Sequence, residues 1–160
     1  MRHTLRAVSV ATMFAAVTVL SGSAALAQSD EAHIEYRQKV MQSLGSNMGA
    51  IADILKNRLP LRDNIALHAR NLNTTAELIL SAFDKRITEG RTDAKPEVWT
   101  DRAGFEEATQ ALLDESAKLV DAAQGGDMQA LLAQVKATGD TCGGCHEDYR
   151  VPKEQSYRNR

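Results

Sequence analysis

Apolar positions recur at three- and four-residue intervals in four separate stretches of the chain. The first runs from about Glu31 to Leu55, where Ile34, Met41, Leu44, Met48, Ile51 and Leu55 are three, four or seven residues apart. The second runs from about Leu61 to Phe83, with Ile65, Ala69, Leu72, Ala76, Ile79 and Phe83 alternating steps of four and three. The third, from about Pro96 to Ala123, marks its buried face with Phe105, Ala108, Leu112, Leu119 and Ala122. The fourth, from Met128 to about Arg150, aligns Met128, Leu131, Val135, Thr138, Cys142 and Cys145, so both cysteines and His146 are expected at the inner surface of a terminal helix. These intervals are those of amphipathic helices, and no stretch alternates as a strand would.

The boundaries agree with the periodicity. Pro96 suits a first helical turn, Gly125-Gly126 suits a helix end, and Asp127 can cap the helix that follows. The links Asn57–Pro60 and Gln124–Asp127 are short, which favours antiparallel neighbours. The polar link Asp84–Ala94 is longer and is expected to be the most mobile ordered loop. The polar segment after Val151 is expected to fray. With no internal repeat, the pattern predicts an all-α protein, an antiparallel four-helix bundle.

The first residues do not belong to that pattern. Arg2 and Arg6 precede an apolar run from about Ala7 to Leu20, broken by Ser21, Gly22 and Ser23, and Ala25-Leu26-Ala27 is a small-x-small cleavage pattern. Residues 1–27 therefore read as a secretory signal peptide rather than a membrane anchor, which needs a longer apolar run. The remainder, residues 28–160, suits one domain with one core. Removing the two leader arginines and no acid takes the formal net charge from −2 to −4. No basic patch favours nucleic acid, and no second apolar segment spans a membrane. The expected location is the periplasm or its equivalent.

Both cysteines of the chain lie in Cys142-Gly143-Gly144-Cys145-His146. Four chemistries compete for them. A disulfide here would close only a tiny loop and contribute little to stability. Thiol-disulfide catalysis normally places such a pair at a helix N-terminus after a strand, whereas this pair lies near the end of a predicted helix. Zinc would need a fourth ligand from His33 or His68. The spacing C-x-x-C-H fits best as a c-type haem attachment site, with each thiol adding to one vinyl group and His146 turned under the iron as proximal ligand. Export agrees with this, because the attachment is made outside the cytoplasm. Two glycines inside a helix cost about 1 kcal/mol each relative to alanine. Small side chains could relieve crowding near the porphyrin edge, or the glycines could be tolerated filler.

With its haem motif near the C-terminus, the chain resembles the cytochrome c′ family, the class II cytochromes c. "EYRQKVMQSLGSNMGAI" (Glu35–Ile51) resembles the family's first helix, Ala82-Phe83 the end of its second, and "KPEVW" (Lys95–Trp99) the opening of its third. The resemblance covers essentially all of residues 28–160. It implies a four-helix bundle enclosing one covalent haem c near one end, with five-coordinate high-spin iron on His146. It also implies an apolar, crowded opposite face and a homodimer packed through the first two helices. Gly45, Gly49 and Ala52 add small positions that permit such close approach.

The resemblance also assigns individual side chains. Arg37 matches an arginine near a haem propionate, the alternative being a solvated helix arginine. Met41 matches the residue that covers the open side of the iron. It is a plug, a distal iron ligand as in low-spin relatives, or core. Phe83 matches an aromatic near the distal face, beside a family tryptophan replaced here by Leu80. Arg150 matches a basic residue flanking the proximal pocket. Met48 reads as core, His33 and His68 as surface histidines, and Trp99 as packing at the third helix's start.

The expected function is that of a haem carrier, not an enzyme, acting in electron transfer with redox partner proteins or in binding NO or CO. The alternative is a low-spin Met/His-ligated electron carrier. A peroxidase would need acid/base groups beside Met41, and a thiol-redox protein would need free, reactive cysteines.

Overall fold

The computed structural model describes residues 21–159, with side chains from residue 30 onward. The expected leader, residues 1–27, lies largely outside them. Four long helices make the bundle: α1 (Ser21–Lys56), α2 (Arg62–Ala76), α5 (Arg102–Gln124) and α6 (Met128–Tyr149). Two single-turn helices, α3 (Ile79–Ala82) and α4 (Glu97–Thr100), flank the long connection, and two 3-10 turns follow α6. None of the helices among the described residues is long and apolar enough to cross a membrane.

The helix ends show which local signals act. Asp127 caps α6 through its side chain, accepting from the N–H groups of Gln129 and Ala130 at 2.8 and 3.2 Å. Gly125 ends α5, and Gly126 takes φ +79°, which glycine adopts without steric penalty. At the end of α1 the left-handed position falls to Arg58, φ +52°.

The long helices differ from the sequence expectation in three places. α1 begins at Ser21 rather than near Glu31. The second predicted helix is interrupted at Glu77–Leu78, after the Thr75 hydroxyl donates back to the Asn71 carbonyl at 2.6 Å. Such bonds bend helices. The seam nevertheless holds, since Ile65, Ala69, Leu72, Ala76, Ile79 and Phe83 are all buried. The third predicted helix breaks at Asp101, which leaves helical geometry to cap α5 by accepting from the Gly104 N–H at 3.3 Å.

The tail and the long loop also differ from expectation. Ser156 is buried and its hydroxyl donates to Asp93 Oδ2 at 2.8 Å, so the tail is docked rather than frayed. The loop after α3 buries Ile87 and Thr92, and its Lys85 and Ile87 carbonyls accept from Arg37 of α1, as does the Ala82 carbonyl at the end of α3.

Two apolar clusters fill the bundle. One holds Val40, Leu44, Leu72, Ile79, Phe83, Val98, Phe105, Leu112 and Tyr149. The other, at the opposite end, holds Ile51, Ile54, Ile65, Ala69, Leu119 and Leu131. Between them lies a polar belt. His68 Nδ1 pairs with Asn47 Oδ1 at 3.0 Å, the Asn73 amide donates to the Ser116 hydroxyl at 2.8 Å, and Gln134 donates to Glu115 at 2.6 Å. Buried polar groups are tolerable when partnered in this way.

Around the bundle, α1 packs on α2, α2 on α5 and α5 on α6. The fourth seam, between α6 and α1, is not closed by comparable backbone packing. That asymmetry positions the site.

Candidate haem site

The open seam is bordered by α6 on one side and α1 on the other. Cys142 and Cys145 are half-buried on α6 and pack against the first apolar cluster, as does half-buried Met41 of α1. Phe83 belongs to the same cluster, with its ring 5.5 Å from that of Phe105. The residues that the sequence assigned to the two faces of one group thus converge on one cluster.

Both thiols are free. Burial pushes Cys142 above the usual thiol pKa, its own backbone countering slightly. Burial also pushes Cys145 up, to about 11, with help from Cys142 and Asp148. Neither is therefore a thiolate at neutral pH, and a redox-active pair would need one. Zinc finds no set of ligands either. His33 is exposed, His68 is paired with Asn47, and no group of three His, Cys, Asp or Glu side chains among the described residues could hold a metal ion.

α6 stays helical through Gly143 and Gly144, and a Cβ at either would meet no protein atom within 4 Å. No packing within the protein requires these glycines.

His146 is a correction to the expected inner placement. The cysteines and Tyr149 face the core, whereas His146 is exposed and lines an open cleft of about 380 Å³ with Glu147, Arg150, Val151 and Lys153. The surrounding protein desolvates the ring and Arg150 adds its charge, so the imidazole pKa is held below its usual value. That favours the neutral ring, the form that ligates metals.

Arg37 is buried at 2% exposure. Its Nε donates to the Ala82 carbonyl at 2.9 Å, Nη1 to Ile87 at 3.3 Å, and Nη2 to Lys85. The guanidinium lies 5.2 Å from the Phe83 ring centre and 5.0 Å from that of Trp99. It is not a solvated arginine. Trp99 in turn donates its indole N–H to the Phe83 carbonyl at 2.8 Å. Arg150 is exposed, with Nη2 3.7 Å from Asp93 Oδ2.

Three contributors escaped the sequence reading. Tyr149, four positions after Cys145, is buried and donates its hydroxyl to Asp101 Oδ2 at 2.8 Å. Gly104 makes room for that pair, because a Cβ there would lie 2.4 Å from both oxygens. Asp93 gathers the chain end. The heptad step from Cys142 could have revealed Tyr149. Nothing local marks Asp93.

The donor set fits haem c. Two protonated thiols three residues apart share one helix face at an unclosed seam, with an imidazole on the next residue. Similarity to known proteins agrees. The family model described as Cytochrome C′ matches residues 32–150. Cytochrome c′ of Pararhodospirillum photometricum is 35% identical over 123 residues, covering 76% of this chain and 98% of that protein. Two solved structures of cytochrome c prime from Alcaligenes xylosoxidans, a ferrous variant with bound NO and a variant with bound carbon monoxide, each align at TM-score 0.69 and 34% identity. They cover 78% and 77% of this chain and 97% of theirs. Cys142 and Cys145 are accordingly the attachment points of one covalent haem c, and the chain belongs to the cytochrome c′ family.

Proposed function

We propose that the protein is an exported, periplasmic cytochrome in which His146 is the proximal iron ligand and Met41 is packed over the opposite face as a plug. It binds NO or CO at five-coordinate iron or passes electrons to partner proteins, and it catalyses no reaction of its own. The observation that carries this reading is the convergence of Cys142, Cys145, Met41 and Phe83 on one apolar cluster beside the unclosed α6–α1 seam. When bound, the haem supplies an iron that exchanges one electron or a diatomic ligand.

The chain's own residues supply the rest. Cys142 and Cys145 fix the ring, and the neutral His146 imidazole offers its lone pair. Met41, Phe83 and their apolar neighbours disfavour water and anions. The carrier reading gains support from the buried polar side chains among the described residues. These are Arg37, five serine and threonine hydroxyls and the Tyr149 hydroxyl, which is held by Asp101. Arg37 spends three of its five N–H groups on carbonyls. Two remain for a haem propionate, the role proposed for it, while Arg150 flanks the His146 side. A homodimer through α1 and α2 is supported by exposed Tyr36 on α1 and Leu67 on α2, and by Gly45 and Gly49, beside which no other side chain packs.

The chemistry of Met41 favours one second reading. A thioether on the α1 side could ligate the iron and make a low-spin electron carrier. The substitution Met41→Ala separates the two. With Met41 as a plug, the ferrous absorption spectrum stays high-spin and CO binds faster and more tightly. A low-spin ferrous spectrum in the unmutated protein, lost on substitution, would overturn the plug.

A further inference from the structure

The family match ends at Arg150, but the fold does not. The next residues turn back as two 3-10 turns, Lys153–Gln155 and Tyr157–Asn159. Asp93 receives them. Its carbonyl accepts from the Val151 N–H at 2.9 Å, its Oδ2 from the Ser156 hydroxyl at 2.8 Å, and its Oδ1 from the Tyr157 N–H at 2.8 Å. Arg91 completes the seat, its guanidinium 5.8 Å from the Tyr157 ring centre. Ser156 is 4% exposed in a segment whose composition alone would leave it in solvent. Between these anchors, Val151, Pro152 and Lys153 line the cleft that also holds His146.

We propose that residues 151–157 are a strap walling the His146 side of the haem site, and that Asp93 is the positioning residue that holds it shut. The proposal rests on His146 being the iron ligand. Cys142 and Cys145 would tie the haem to α6, and His146 on the same helix lines the cleft, which is the space open to its side chain. A closed strap fills one wall of that cleft and restricts the ring. An open strap lets the imidazole swing away and lets solvent or a small ligand approach from that side. The cleft and the strap share residues, so the two states are mechanically linked.

The test uses the haem-loaded protein, Asp93→Ala, a chain ending at Val151, and the two combined. Tryptic cleavage after Lys153 reports whether the strap is held. NO added to the ferrous protein weakens the bond trans to it, so the rate of conversion from six- to five-coordinate nitrosyl absorption reports release of His146. Lys153 is exposed even with the strap docked, so cleavage reads the loosening of its backbone; Asp93→Ala is expected to speed that cleavage and to speed His146 release about tenfold, equivalent to about 1.4 kcal/mol. The shortened chain should show the same acceleration, with no further change when Asp93→Ala is added. Ser156→Ala, which removes one anchor and leaves Asp93 in place, should fall between. It supplies the same comparison if Asp93→Ala folds poorly. Unchanged release together with faster cleavage after Lys153 overturns the strap as a wall. An Asp93 effect that persists in the shortened chain overturns its action through the strap. Resonance Raman tells failure of the premise apart. Absence of an iron–histidine band in the unmutated ferrous protein removes the His146 assignment and the proposal with it, whereas a normal band with unchanged release counts against the strap alone.

Discussion

Replacing Arg37 by alanine should cost the protein a large part of its stability. The guanidinium is 2% exposed and joins α1 to the end of α3 and the loop after it through the carbonyls of Ala82, Lys85 and Ile87. Hydrogen bonds from a charged donor contribute about 1.5–3 kcal/mol each. The two ring contacts, at 5.2 and 5.0 Å, add about 0.5–2 kcal/mol each. Against these stands the desolvation of the guanidinium, several kcal/mol that alanine no longer incurs. Burial lowers the pKa of Arg37, partly countered by Asp30, which shows that this opposing cost is present. The remainder is about 3–4 kcal/mol, in keeping with about 1–3 kcal/mol for each buried carbonyl that is left without a donor. For a domain stable by about 5–15 kcal/mol that is a large fraction. Arg37→Met keeps an unbranched stem against Phe83 and Trp99 and should recover about 1 kcal/mol of it. Urea unfolding followed by circular dichroism and haem absorbance measures the loss. Hydrogen exchange should accelerate across Phe83–Arg91. If Arg37→Ala shifts stability by less than about 0.5 kcal/mol, a value typical of surface positions, the clamp reasoning is refuted. An altered haem spectrum with unchanged loop exchange would assign the residue to the propionate alone.

Two further outcomes follow from the same geometry. Burial and then Asp101 push the Tyr149 hydroxyl up to about 12 from its ordinary 10, so the folded state keeps a proton that the unfolded chain releases. The associated stability is complete below about pH 10 and is lost as pH rises toward 12. Ultraviolet titration should show a late tyrosine that Tyr149→Phe removes, and an ordinary titration in the unmutated protein would contradict the buried pair. Sedimentation equilibrium at micromolar concentration should show a dimer weakened by Leu67→Glu, while a monomer throughout would remove the α1–α2 interface.

Periodicity exposed the parts of this molecule that repeat. The seam Ile65, Ala69, Leu72, Ala76, Ile79, Phe83 is buried at every position despite the break at Glu77–Leu78. A register of side chains survives a local bend if the following turn resumes on the same face. The haem motif was legible for a different reason. Its chemistry demands two sulfurs and an imidazole at fixed spacing, which the chain can satisfy within five residues. The breaks themselves were harder to see. Asp101 reads as an ordinary polar position inside the third predicted helix, and only its approach to the Gly104 N–H and the Tyr149 hydroxyl shows that it caps and anchors at once.

What stayed hidden shares a physical form. Arg37 on α1 holds carbonyls 45 to 50 residues away, and Asp93 holds groups 63 and 64 residues away. Every residue offers a main-chain carbonyl and every residue but proline an N–H, so a side chain that binds these atoms, as Arg37 does and as Asp93 does at Tyr157, leaves no complementary partner to find in the sequence, and the Ser156 hydroxyl that Asp93 also holds is one of many. Apolar spacing therefore reports which faces meet, but not which polar side chains tie the connections between them. In this bundle those ties lie where the helices leave the site least enclosed. Arg37 fixes the loop behind Phe83 and Trp99, and Asp93 fixes the tail beside His146. The four-residue rhythm sets the walls, and two charges to which it is blind, buried Arg37 and half-buried Asp93, set the position of the two segments that border the haem site.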